Sequence, residues 1–202
     1  MKSVLNSRMM QPFARTDAGK LIPLNEFADK LEALRKSLIA SDAPHHRRKL
    51  RGQGQKLERE AWQAILFARA YECYFRLTGM SVRIELQECS AHDATLQWIE
   101  NDLTQELKIQ LKELPPESLN ANISLPELLA KSIEKYPPSP DITIAMFICR
   151  THPGYQMEIP EHGFAGLWAF GLTGMGKPEF IFLVGKDAKG EHSNCTKFLT
   201  QP

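Results

Sequence analysis

The stretch 92–112, HDATLQWIENDLTQELKIQLK, constrains the fold more than any other part of the chain. It alternates polar and apolar residues on both sides of a polar break, which is the pattern of two half-buried strands joined by a turn. Successive strand side chains point to opposite faces, so Ala94, Leu96 and Trp98 belong to one face and Asp93, Thr95 and Gln97 to the other. On the second strand Leu107, Ile109 and Leu111 oppose Lys108, Gln110 and Lys112. The apolar rows go to the core. The remaining face carries an aspartate at the entry of one strand, with an amide and an ammonium two residues apart on its neighbour. Polar groups converging beside a packed sheet are a common construction of metal-dependent hydrolases.

Asp93 followed by Gln110-Leu111-Lys112 resembles the PD-(D/E)XK nuclease superfamily, in the variant with glutamine at the middle acidic position, as in relatives of the methyl-directed restriction endonucleases. His92 stands where proline is usual, and Gln110 where a carboxylate is usual. The resemblance implies an α/β fold with a restriction-endonuclease-like αβββαβ core, a mixed sheet flanked by helices, over residues 55–202. An arm, a helix and a basic linker over residues 1–54 form an N-terminal helical extension. The implied activity is metal-dependent hydrolysis of phosphodiester bonds in DNA or RNA, with Mg2+ or Mn2+ as cofactor. Asp93 is then the principal metal ligand, Gln110 contributes its amide oxygen, and Lys112 orients the attacking water and stabilises developing charge. Asp93→Ala and Lys112→Ala are expected to abolish cleavage and leave the fold intact. A homodimer would suit the cutting of two strands.

The family often adds a glutamate from the preceding helix. Residues 57–78 read as one long core helix with Gly79 as its stop, and 81–89 as a strand returning antiparallel to it. A strand of that length spans about 26 Å at roughly 3.3 Å per residue. A helix rising about 1.5 Å per residue covers the distance in about 17 residues. Counting back from Gly79 therefore brings Glu60 level with Asp93, with Glu58 as the alternative. Glu60 joins Asp93 and Gln110 in the expected metal set.

The net charge of +1 gives no global basic field, so nucleic-acid binding needs a local patch. Arg47, Arg48, Lys49 and Arg51 provide one, in a segment broken by proline and glycine. It is a solvated linker or an arm that contacts phosphates. Ahead of it, Phe27, Leu31, Leu34, Leu38 and Ile39 form the narrow apolar stripe of a helix, and residues 1–22 read as an irregular arm. A non-catalytic module is the competing reading: a degenerate nuclease fold that holds nucleic acid or a partner protein through the basic segment and this helix. Lys108, Gln110 and Lys112 are then the solvated face of an edge strand, and Asp93 a turn residue.

Downstream, Ser124 with Pro126 and Glu127 marks a helix start, and 141–150 is an apolar run typical of a strand covered on both faces. FAGLWAFGL is expected to be a short helix, EFIFLVGK a second buried parallel strand, and the tail after Lys186 frayed. The segment 171–177 matches G-x-x-x-x-G-K, but Pro178 stands where a phosphate loop needs Ser or Thr, which excludes that reading. The six histidines lack the paired spacing of zinc ligands. Cys73, Cys89, Cys149 and Cys195 are scattered without a C-x-x-C pair, the usage of reduced thiols in a cytoplasmic protein. No segment approaches membrane-spanning length, and the first residues lack the apolar run of a signal peptide.

Overall fold

The computed structural model describes residues 17–40, 50–51, 55–77, 79–87, 92–150, 158–173 and 180–197. The order of elements is β1 (Ile22–Pro23), α1 (Leu24–Ala40), α2 (Lys56–Tyr74), β2 (Arg83–Leu86), β3 (Ala94–Glu100), β4 (Leu103–Leu114), α3 (Leu125–Lys135), β5 (Ser139–Ile148), β6 (Phe164–Thr173), β7 (Phe180–Asp187) and β8 (Gly190–Lys197). This is an α/β protein with one mixed eight-stranded sheet, in which the strands lie in sequence order from β1 to β8. Pairs β4·β5 and β5·β6 are parallel; all others are antiparallel. Among the described residues no helix is long and apolar enough to cross a membrane.

The alternating stretch folds as its pattern dictates. β3 and β4 pair from Ala94↔Ile109 to Glu100↔Leu103, and Asn101 and Asp102 both take positive φ, 51° and 62°, in the two-residue turn. Two successive left-handed residues match the twist of a tight hairpin, and Asn and Asp tolerate that conformation. The apolar row of the hairpin joins a core on one side of the sheet with Leu31 of α1 and Ile65, Leu66 and Phe67 of α2. A second core covers the other side, where Leu125 and Leu129 of α3 meet Leu114, Ile144, Met146 and Leu167. Helix α1 thus shares the core of α2: Phe27, Leu31 and Leu38 are buried, whereas Ile39, expected in the stripe, is turned to solvent.

Helix α2 ends before Gly79. Arg76 adopts φ 55°, the Leu77 N–H donates to the Glu72 carbonyl at 2.9 Å, and the Arg76 N–H donates to Cys73 at 3.4 Å. This pair of bonds closes the helix end around a left-handed residue. Ser124 caps α3 as expected, with Glu127 reaching back in a capping box that holds its own carboxyl below the ordinary value. Ser124→Ala is expected to cost about 1 kcal/mol, read as a lower midpoint in urea unfolding with an unchanged slope.

Three expectations fail in the C-terminal part. FAGLWAFGL is not a helix but strand β6. Its two faces enter different cores, Trp168 and Phe170 in one, Phe164, Leu167 and Ala169 in the other, so the alternation that would reveal a strand is lost. EFIFLVGK is a strand, β7, but it runs antiparallel to β6, because so short a connection cannot carry a parallel crossover. Up to Lys197 the tail is not frayed: β8 pairs with β7 along its whole length across the turn at Ala188 and Lys189. Its polar composition reflects its position at the sheet edge.

The indole of Trp168, 1% exposed, lies against two glycines. A Cβ at Gly166 or at Gly185 would run into the ring, and one at Gly185 would also come within 2.7 Å of the Leu167 carbonyl oxygen. The His192 ring stacks on Trp168 at 5.4 Å between centroids, with Phe75, just after α2, edge-on at 5.8 Å.

Candidate functional site

Asp93 precedes β3, at the point where the chain enters the ladder with β4. Its N–H donates to the Ile109 carbonyl at 2.8 Å, and its carboxylate replaces the next rung: Oδ2 accepts the Leu111 N–H at 2.7 Å and the Gln110 side-chain amide. The period of the two strands produces this meeting, since Asp93 and Gln110 belong to the same polar row. Gln110 is buried. Lys112, next in the row, is half-buried with its ammonium 4.7 Å from the centroid of the Tyr136 ring, at the C-terminal end of α3. β4 is paired on both sides, with β3 and with β5, so this row is not the face of an edge strand.

Glu60, on α2, lies within electrostatic range of Asp93. Burial holds its carboxyl above the ordinary value and the charge of Asp93 pushes in the same direction, against Lys56 and Arg59. Lys56 pairs with it at 3.4 Å. Glu58, the alternative, is only 2% exposed and lies inside the α2 packing. His92, beside Asp93, makes a 2.9 Å contact from Nε2 to the Thr95 hydroxyl, and burial together with Lys108 holds its imidazole below the ordinary value.

Of the expected basic arm only Arg51 lies among the described residues. Arg51 turns inward and pairs with Glu113, and its guanidinium also meets Cys149 Sγ at 3.4 Å. Glu113 further accepts from Gln63 Nε2 at 3.1 Å and pairs with Arg59 at 3.3 Å. Arg51 is thus an internal tie between the linker, α2 and β4 and does not project toward solvent. Arg47, Arg48 and Lys49 lie outside the described residues. The Cys149 thiol donates to Glu113 at 3.2 Å, and burial beside that carboxylate pushes its pKa up to about 12, which suits an inert thiol.

Sequence reasoning missed Tyr136 and the Glu113 cluster. Tyr136 was legible as the last residue of a helix crossing the Lys112 face. Glu113 follows Lys112 directly and therefore faces the opposite core, where α2 supplies Gln63 and Arg59.

A hard divalent cation takes oxygen ligands. The charge of Asp93 contributes to raising the pKa of Glu60, after burial. Gln110 adds an amide whose nitrogen donates to Asp93. Among the described residues no group of three His, Cys, Asp or Glu side chains has a metal-ligating arrangement, so the amide is needed to complete a three-residue set. Oxygen donors of this kind are the type that magnesium and manganese take. Comparison of the chain with family models, curated proteins and solved structures found no match.

Proposed function

We propose that the chain is a metal-dependent nuclease of the restriction-endonuclease-like type, acting on phosphodiester bonds of DNA or RNA. The observation that carries this reading is the Asp93 carboxylate bound to Gln110 and to the backbone of Leu111, with Glu60 within electrostatic reach and Lys112 one step along the same row. The order α2, β2, β3, β4, α3, β5, with an antiparallel β2–β3–β4 unit and a parallel β5, supports the αβββαβ core. Asp93, Glu60 and the Gln110 amide oxygen would hold the cation, which when bound neutralises charge that builds on the phosphate during hydrolysis. Lys112, restrained by Tyr136, would orient the water and favour the same charge. Replacement of a carboxylate by Gln110 removes one negative charge and predicts weak metal binding.

A second reading rests on a specific observation: Gln110 and Lys112 both have partners within the chain, as expected of a module that binds nucleic acid without cutting it. Titration calorimetry with Mn2+ separates the two. The variant to use is Asp93→Asn, because alanine would leave the Leu111 N–H and the buried Gln110 amide without an acceptor, contrary to the sequence-based expectation of an undisturbed fold. Wild type is expected to bind Mn2+ and Asp93→Asn to lose it. Because the metal takes ionised Glu60, whose pKa is raised, affinity should fall as pH is lowered through that raised pKa, with proton release on binding. Absence of Mn2+ binding, together with nucleic-acid binding that salt abolishes, would favour the non-catalytic module.

A further inference from the structure

A cavity of about 320 Å³ lies at the far end of β3 from Asp93, bounded by α2, β3 and the β7–β8 turn. From Asp93 to Glu100 the strand runs about 23 Å at roughly 3.3 Å per residue, so this cavity is separate from the candidate metal site. Its walls are the rings of Tyr71, Phe75 and Trp98, and its rim carries the carboxylates of Glu100 and Asp187 with one ammonium, Lys189. Aromatic faces carry negative potential and attract cations, and the carboxylates add to that field.

Asp187 is held for the purpose. Its Oδ1 accepts from His192 Nε2 at 2.8 Å and from the Lys189 N–H at 2.7 Å. His192 Nδ1 in turn meets the Tyr74 hydroxyl at 2.8 Å, a chain that assigns the imidazole proton to Nε2 and anchors the carboxylate to α2. Burial, then Asp187, then Glu100, raise the pKa of the Tyr71 phenol, so both charges bear on this ring. The Trp98 indole N–H is buried and has no acceptor among the described residues.

We propose that this cavity binds a methylated ammonium group, with Tyr71, Phe75 and Trp98 as the cage and Glu100 and Asp187 as the counter-charges. Phosphate and carboxylate ligands are repelled by the rim. A hard metal ion finds too few oxygens among carbon walls. A volume near the lower end of small-ligand sites suits a head group of this size. The group can come from a free small molecule or from a methylated lysine side chain.

The test uses the full-length protein, with tryptophan emission and saturation-transfer NMR as readouts, and three probes: choline, a short trimethyllysine peptide, and 3,3-dimethylbutanol as the neutral isostere of choline. At least one cationic probe is expected to saturate, with the neutral isostere about tenfold weaker. Glu100→Gln, at an exposed position, should weaken the cation about threefold to fivefold without changing the thermal midpoint. Tighter binding of choline identifies a free small molecule as the source, and tighter binding of the peptide a modified protein. No binding of either cation at millimolar concentration, or equal binding of the neutral isostere, overturns the proposal.

Discussion

Lys112→Ala is expected to lower Mg2+- or Mn2+-dependent cleavage by on the order of 10²–10³-fold, the usual loss when one preorganised charge is removed from a transition state. Lys112 lies on a strand paired on both sides, and its ammonium rests over Tyr136, so its position is set before substrate arrives. Its stem is half-buried, and the contact with the ring contributes no more than about 1 kcal/mol. The variant should therefore stay folded and bind Mn2+ as wild type does. Asp93→Asn should lose both binding and cleavage. The measurement is the single-turnover rate on labelled DNA and RNA, with and without metal, for wild type and both variants. Full activity in the two variants would sink the nuclease assignment, whatever the metal titration gave.

The second large effect concerns stability. Gly185→Ala is expected to destabilise the fold by about 2–3 kcal/mol, because an added methyl in a packed core forces neighbours off their minima. Its methyl would meet the Trp168 ring on one side and the Leu167 carbonyl on the other. The ring cannot retreat, since His192 stacks on it and Phe75 stands against its edge. For a chain of this length the loss corresponds to a fall in thermal midpoint of about 4–10 °C. Scanning calorimetry of wild type and variant checks it. A midpoint unchanged within a degree would mean that the Trp168 layer is loosely packed.

How much of this could be read from residues alone depended on whether a local signal survived its context. The β3–β4 hairpin carries a clean period of two because one face is apolar and the other polar, and the meeting of Asp93 with Gln110 followed from that period. Ser124 and Glu127 announce α3 through bonds that belong to the helix end itself. β6 gives no such signal: with Trp168 and Phe170 in one core and Leu167 and Ala169 in the other, it is apolar throughout, and a short apolar run is equally compatible with a helix. β8 was hidden for the opposite reason, since an edge strand keeps polar residues. The inward turn of Arg51 was illegible because its partner, Glu113, is distant in sequence and is brought near only by the packing of α2 on the sheet. Glu60 fell between these cases. Its altered ionisation depends on what the packing placed beside it, which the helix pattern does not carry.

The order of the sheet has a consequence for how the chain assembles. Each strand from β1 to β7 pairs with the strand that follows it in the sequence, and from β2 onward these connections are far shorter than the one between β1 and β2. Short loops cost little entropy, and chains dominated by such contacts fold quickly. β1 differs in the length of its connection. Pro23 meets Arg83 only after a loop of roughly sixty residues has closed, for a ladder two residues long. The α2-to-β8 unit therefore offers a surface already formed on which β1 and α1 dock late. Unfolding that starts from the N-terminus would release this segment first and expose the α2 face while the sheet holding Asp93, Gln110 and Lys112 is still intact.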